Sequence, residues 1–78
     1  MNDYTVDLEL DCRGLNCPLP VLKTKKAMDN MSTGQVLKMV STDPGSQNDI
    51  TAWANRTGNE LLNTSHEGSD FVYYIKKG

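Results

Sequence analysis

Val6, Leu8, Leu10 and Cys12 alternate with Asp7, Glu9 and Asp11. A period of two predicts a strand with one buried and one wet face. Gly14 to Asn16 then read as a loop, and Pro18 opens a helix at its first position. Pro20 is harmless there, because first-turn N–H groups have no intrahelical partner. The helix runs to about Met31 and stops near Ser32-Thr33-Gly34. Val21, Thr24, Ala27, Met28 and Met31 share about a third of its circumference, with Lys23, Lys25, Lys26, Asp29 and Asn30 opposite. Leu19 and Leu22 fall on the charged side. Either they pack under the neighbouring loop, or they form an apolar docking spot.

Gln35 to Thr42 predicts a second strand, apolar on both faces and therefore suited to a central position. Asp43-Pro44-Gly45-Ser46 starts a second helix, with Ser46 and Asp49 spaced as a capping box. Ile50, Trp53, Ala54 and Thr57 form its inward stripe, and Gly58 is placed to end it. Glu60 to Ser65 reads as a weaker strand, Glu67 to Asp70 as a turn, and Phe71 to Lys77 as a final strand. The order is βαβαββ. Strand–helix–strand units imply parallel neighbours and the last hairpin adds an antiparallel pair. Two helices cover one face only, so the expected fold is an α/β two-layer sandwich with a four-stranded mixed sheet.

Composition narrows the function. At 78 residues the chain is one small domain, expected to span residues 1–78, with a thin core. Eight Lys and Arg against ten Asp and Glu leave a net charge of −2. That argues against direct nucleic-acid binding, which collects phosphates on a basic surface. The longest apolar run, Phe71 to Ile75, is far too short for a membrane span, and the acidic opening residues do not resemble a leader. A cytoplasmic monomer is expected, since no long apolar patch calls for a dimer.

The candidate chemistry lies in Cys12 and Cys17. A secreted domain of this size usually carries several disulfides, and two thiols with one His66 do not fill a zinc site. No metal and no cofactor are expected. Cys12 falls on the apolar side of the first strand, where a cysteine behaves as a small hydrophobe. Cys17 precedes Pro18 and is expected at the N-cap of the first helix. There the helix N-terminus would lower its pKa, Leu19 would offer an N–H to the sulfur, and Lys23 would add positive potential. Pro18 and Pro20 stiffen the turn that presents it, and Gly14 frames the loop before it.

Three cysteine chemistries place different demands on the rest of the sequence. Hydrolytic cysteine enzymes need a His, and His66 lies beside a predicted turn, where a solvated role is the simpler reading. Thiol–disulfide oxidoreductases use C-x-x-C, which Cys12 and Cys17 do not form. Persulfide relay needs only an exposed thiolate and a partner surface. Docking is expected around Cys17, on Arg13, Leu19, Leu22, Lys23 and Lys26.

The stretch Leu10-Asp11-Cys12-Arg13-Gly14-Leu15-Asn16-Cys17-Pro18-Leu19-Pro20 resembles the TusA (SirA-like) sulfur-carrier family. The likeness continues through Lys23 to Lys26, Gly34, Thr42-Asp43-Pro44-Gly45-Ser46, Asp49-Ile50, Gly58 and Phe71 to Lys77. It implies the same βαβαββ fold and a persulfide carried on the C-P-x-P cysteine, here Cys17. It also implies a cysteine desulfurase or rhodanese-type donor and a downstream acceptor protein, the whole acting as a persulfide-relay sulfurtransferase. The settings it implies are tRNA thiolation, molybdenum-cofactor biosynthesis and oxidative sulfur metabolism. Cys12 departs from the family pattern, where a small residue such as Ala is more usual, which raises a resolving-thiol or redox-sensing role. Two other classes use this layout: a regulatory interaction module without sulfur transfer, and an RNA-binding domain. The second is opposed by the acidic charge and the lack of interleaved aromatics and arginines.

Overall fold

A computed structural model describes residues 5–78; the part of the acidic opening that falls on Met1 to Tyr4 lies outside the described residues. The elements are β1 (Leu8–Cys12), α1 (Leu19–Asp29), β2 (Val36–Ser41), α2 (Ser46–Thr57), β3 (Glu60–Glu67) and β4 (Asp70–Lys76). The strands form one sheet in the order β1-β2-β4-β3. β1 and β2 are parallel, while β4 pairs antiparallel with both β2 and β3. This is the expected βαβαββ arrangement, with β2 in the interior of the sheet as its two apolar faces require.

The core lies between the sheet and both helices. Leu37, Met39, Tyr73 and Ile75 supply the sheet side, with Met28, Ile50, Trp53 and Ala54 from the helices. The α1 stripe behaves as its spacing predicts: Thr24 and Met28 are buried, while Val21, Ala27 and Met31 pack at the margin. Thr24 tolerates burial because its hydroxyl donates to the Pro20 carbonyl at 2.7 Å. The carboxyl end of α1 is closed from a distance, by Lys77 Nζ donating to the Met28 carbonyl at 2.6 Å.

Four local expectations are revised. Leu8 shares the face of Leu10 and Cys12 but is 41% exposed, because it starts an edge strand beyond the helices' cover. Thr57 is exposed, its hydroxyl donating back to the Trp53 carbonyl at 2.7 Å within the last turn of α2. Gly58, at φ 75°, ends that helix as predicted. β3 extends to Glu67, so His66 lies within the strand, stacked on Phe71 with ring centroids 4.3 Å apart. Lastly, Ser46 does not form a capping box. Its hydroxyl lies 2.7 Å from both the Asp43 carbonyl and the buried Tyr73 hydroxyl, leaving it unavailable to the helix N–H groups.

Leu8 and Leu37 are register partners in different surroundings, one 41% exposed and the other fully buried. Leu37→Ala is expected to cost about 3 kcal/mol in urea unfolding, and Leu8→Ala under about 1 kcal/mol. Equal losses would contradict this placement of the core.

Candidate functional site

The register that pairs Cys12 with Ser41 brings the β1–α1 and β2–α2 loops to the same end of the sheet. Polar contacts then tie the loops together. The Gly14 N–H donates to Thr42 Oγ1 at 2.9 Å, and the Cys17 N–H donates to Asp43 Oδ2 at 2.9 Å. The other Asp43 oxygen accepts the Gly45 N–H at 3.1 Å, an Asx turn leading into α2. Gly14 has φ 80°, a left-handed conformation that favours glycine. Beneath the loop, Leu15 packs against the core and its N–H bonds the Cys12 carbonyl at 3.2 Å.

Cys17 stands one residue before the N-cap, not on it. The Leu22 N–H bonds the Pro18 carbonyl at 3.1 Å, so Pro18 provides the first helical acceptor and is itself the N-cap. The Leu19 N–H donates to the Asn16 carbonyl at 2.9 Å and is not available to the sulfur. The Cys17–Pro18 peptide is cis. Pro20, in the first turn, is buried and seats that turn on the core.

The expected lowering of the Cys17 pKa is reversed. The thiol is pushed above its ordinary value, first by the Asp49 carboxylate, then by partial loss of hydration and the negative charges of Asp49 and Asp43. Displacement from the N-cap weakens the opposing helix effect, which falls off within a turn. The charge of Lys23 favours the thiolate of Cys12. Burial outweighs that charge, and Cys12, fully enclosed in the core, is also pushed up.

Cys17 is exposed and Cys12 buried, and both are free thiols. Leu19 and Leu22 are 45% and 53% exposed, each with about half of its surface open to solvent. Lys23 and Lys26 pair with no carboxylate among the described residues, whereas Lys25 bonds Asp29 at 3.1 Å. Arg13 is placed differently. Its guanidinium grips Asp11 through two bonds of 3.0 and 3.1 Å and approaches Asp70 at 3.9 Å. A concavity of 320 Å³ on α2 and the β3–β4 hairpin is lined by Gln47, Thr64, Ser65, His66, Phe71 and Tyr73; Cys17 is not among them. Asp43 and Asp49 are the site residues that sequence reasoning missed. Both lie in segments noted for a helix start, but a carboxylate's reach across to another loop leaves no mark in local spacing.

The result is a two-layer α/β protein presenting one surface thiol on a pinned loop between a strand and a helix. Residues 8–77 match the family model described as sulfurtransferase TusA. The chain is 55% identical over 71 residues to the sulfur carrier protein TusA of Allochromatium vinosum, covering 91% of this chain and 93% of that one. It is 40% identical over 77 residues to the sulfur carrier protein TusA of Pseudomonas putida strain GB-1, covering 99% and 96%. The chain belongs to the TusA family. Its fold matches that of a SirA-like protein from Desulfitobacterium hafniense with a TM-score of 0.74, at 24% identity over 91% of this chain and 97% of the other.

A raised pKa keeps Cys17 protonated at pH values where a free thiol has begun to ionise, at roughly 8.5. Alkylation by iodoacetamide is therefore expected to be slower than for a cysteine peptide at pH 8, and to keep rising above the pH at which the peptide levels off. A profile displaced to lower pH would contradict the raised pKa.

Proposed function

We propose that the chain, working as a monomeric single-domain carrier in the cytoplasm, takes sulfane sulfur as a persulfide on Cys17 and passes it to an acceptor protein. The observation that carries this reading is the contrast between its two thiols: Cys17 exposed on an anchored loop, Cys12 sealed in the core. In the loading step the Cys17 thiolate attacks the outer sulfur of a donor persulfide. A new S–S bond forms at Cys17, the donor's S–S bond breaks, and the donor's cysteine leaves as a thiolate that takes up a proton. Delivery repeats the step, with Cys17 as the leaving group. A cysteine desulfurase or a rhodanese-type protein is the donor, and tRNA thiolation or oxidative sulfur metabolism the destination. The names of the relatives, sulfur carrier proteins, support the carrier role.

The docking ground is Leu19, Leu22, Lys23 and Lys26, an apolar spot bordered by lysines that have no carboxylate partner among the described residues. It meets an acidic patch beside the donor's active-site loop. Arg13, engaged with Asp11 and Asp70, contributes less.

Incubation with a cysteine desulfurase and cysteine is expected to add sulfur mass to the peptide containing Cys17. Cys17→Ala abolishes the addition without unfolding the protein, since its side chain is exposed, while Cys12→Ala is still loaded. If neither thiol loads from any sulfane donor, the interaction-module reading takes its place. Separately, reversing Lys23 and Lys26 to Glu is expected to slow loading several-fold while the alkylation rate of Cys17 by iodoacetamide stays within about twofold. Unchanged loading would move the docking surface elsewhere.

A further inference from the structure

One register row crosses all four strands at the end of the sheet that carries the Cys17 loop: Cys12, Ser41, Phe71 and His66 are successive partners. Cys12 and Ser41 are buried and Phe71 packs against the core, so this row faces the helices. His66, in the same row, is exposed, because β3 is an edge strand and the helix layer stops short of it. The uncovered ground is the 320 Å³ concavity between the first turn of α2 and the β3–β4 hairpin. Its aromatic wall is His66 stacked on Phe71, with ring centroids 4.3 Å apart and planes 9° from parallel. Tyr73 also lines it, buried and with its hydroxyl committed to Ser46 at 2.7 Å. The side chains of Gln47, Thr64 and His66, by contrast, make no hydrogen bond among the described residues. The lining holds no lysine, arginine or carboxylate, and the next register pair beyond His66 and Phe71 is Glu67 with Asp70.

We propose that this concavity receives an aromatic side chain with a polar edge, Trp or Tyr, from a partner protein docked over the Cys17 end of the sheet. A ring set against the His66–Phe71 pair gains offset-stacked or edge-to-face contact, and the unengaged Gln47 and Thr64 answer its indole N–H or phenol O–H. Size favours a side chain over a cofactor: at 320 Å³ the concavity stands at the small end of ligand cavities, which run from about 300 to 1,000 Å³. Charge chooses between sources of a planar ring. Glu67 has no cationic partner among the described residues and Asp70 shares Arg13 with Asp11, so a nucleotide's phosphates meet negative charge at the rim. A guanidinium also stacks on rings, but the lining offers no carboxylate to pair it. Neighbouring strands lie about 4.8 Å apart, so the row from Cys12 to His66 spans roughly 14 Å. A standard interface of about 800 Å² per partner is roughly 30 Å across and covers both the concavity and the Cys17 loop. The ring site stands on geometry alone; that the partner filling it exchanges sulfur at Cys17 rests on the carrier reading.

The test follows the protein by nitrogen–proton correlation NMR during titration with blocked amino acids. N-acetyltryptophan amide and N-acetyltyrosine amide are expected to shift the backbone amides of Thr64, His66 and Phe71 and the side-chain amide of Gln47 saturably, at millimolar concentrations. N-acetylphenylalanine amide, lacking the polar edge, is expected to bind about three- to tenfold more weakly, and N-acetylleucine amide not measurably. His66→Ala, at an exposed position, is expected to weaken the tryptophan probe about three- to tenfold. No saturable shift at these residues would overturn the proposal, and so would leucine binding equal to tryptophan or full affinity in the His66→Ala protein. Tighter binding of N-acetylarginine amide or of adenosine monophosphate would overturn it in favour of a cationic or a nucleotide ligand. In cells, His66→Ala is expected to change the fraction of Cys17 that carries sulfur, downward if the donor fills the concavity and upward if the acceptor does. An unchanged fraction would overturn the assignment to an exchange partner. Ring binding by a protein that no sulfane donor loads would support the ring site and overturn the carrier reading, whereas a loaded protein without ring binding would overturn the ring site alone.

Discussion

The Asp43 carboxylate is the tie on which the site depends. One oxygen holds the Cys17 N–H and the other the Gly45 N–H, so a single side chain joins the loop before α1 to the turn before α2. It spans them because β1 and β2 are parallel neighbours, and the register of Cys12 with Ser41 delivers both loops to the same edge. Parallel pairing needs crossover helices, and those helices bury the core that holds the strands in register. Site and core are thus parts of one constraint. The buried Ser46–Tyr73 hydroxyl contact fixes the start of α2 to β4, and with it the position of Asp49.

The raised pKa of Cys17 has two opposed effects on its chemistry. A thiol that resists ionisation offers less thiolate at neutral pH, yet each thiolate it forms is more nucleophilic and leaves less readily. A carrier needs a sulfur that stays quiet between partners and exchanges within a complex. A raised pKa limits the thiolate in the free protein and with it the exposure to stray oxidation. Cys12 needs no such control, because the core closes it off.

Much of the fold was legible from local pattern. The alternation of β1, the α1 stripe ending in Met28 and Met31, the apolar run of β2 and Gly58 after α2 all report contacts within one element or against one face. The exposed thiol was legible too, since a loop framed by Gly14, Pro18 and Pro20 is a poor place to bury a side chain. The electrostatics were not. Placing Cys17 at the N-cap assumed that the helix begins at Pro18, but the Asn16–Leu19 turn postpones it by one residue. Asp49 lies 32 positions further along the chain, and only the packing of α2 brings it to the sulfur. For the same reason Ser46 read as a cap: its spacing to Asp49 fits the motif, and nothing local reveals that Tyr73 claims the hydroxyl.

The most direct measurement is mass spectrometry of the protein purified from its own cells without reductant, with each cysteine-containing peptide resolved. Added sulfur on the Cys17 peptide, removed by dithiothreitol and absent from Cys12, is the predicted result. Added sulfur on Cys12 with Cys17 bare, or none on Cys17 under sulfur-replete growth, would contradict it.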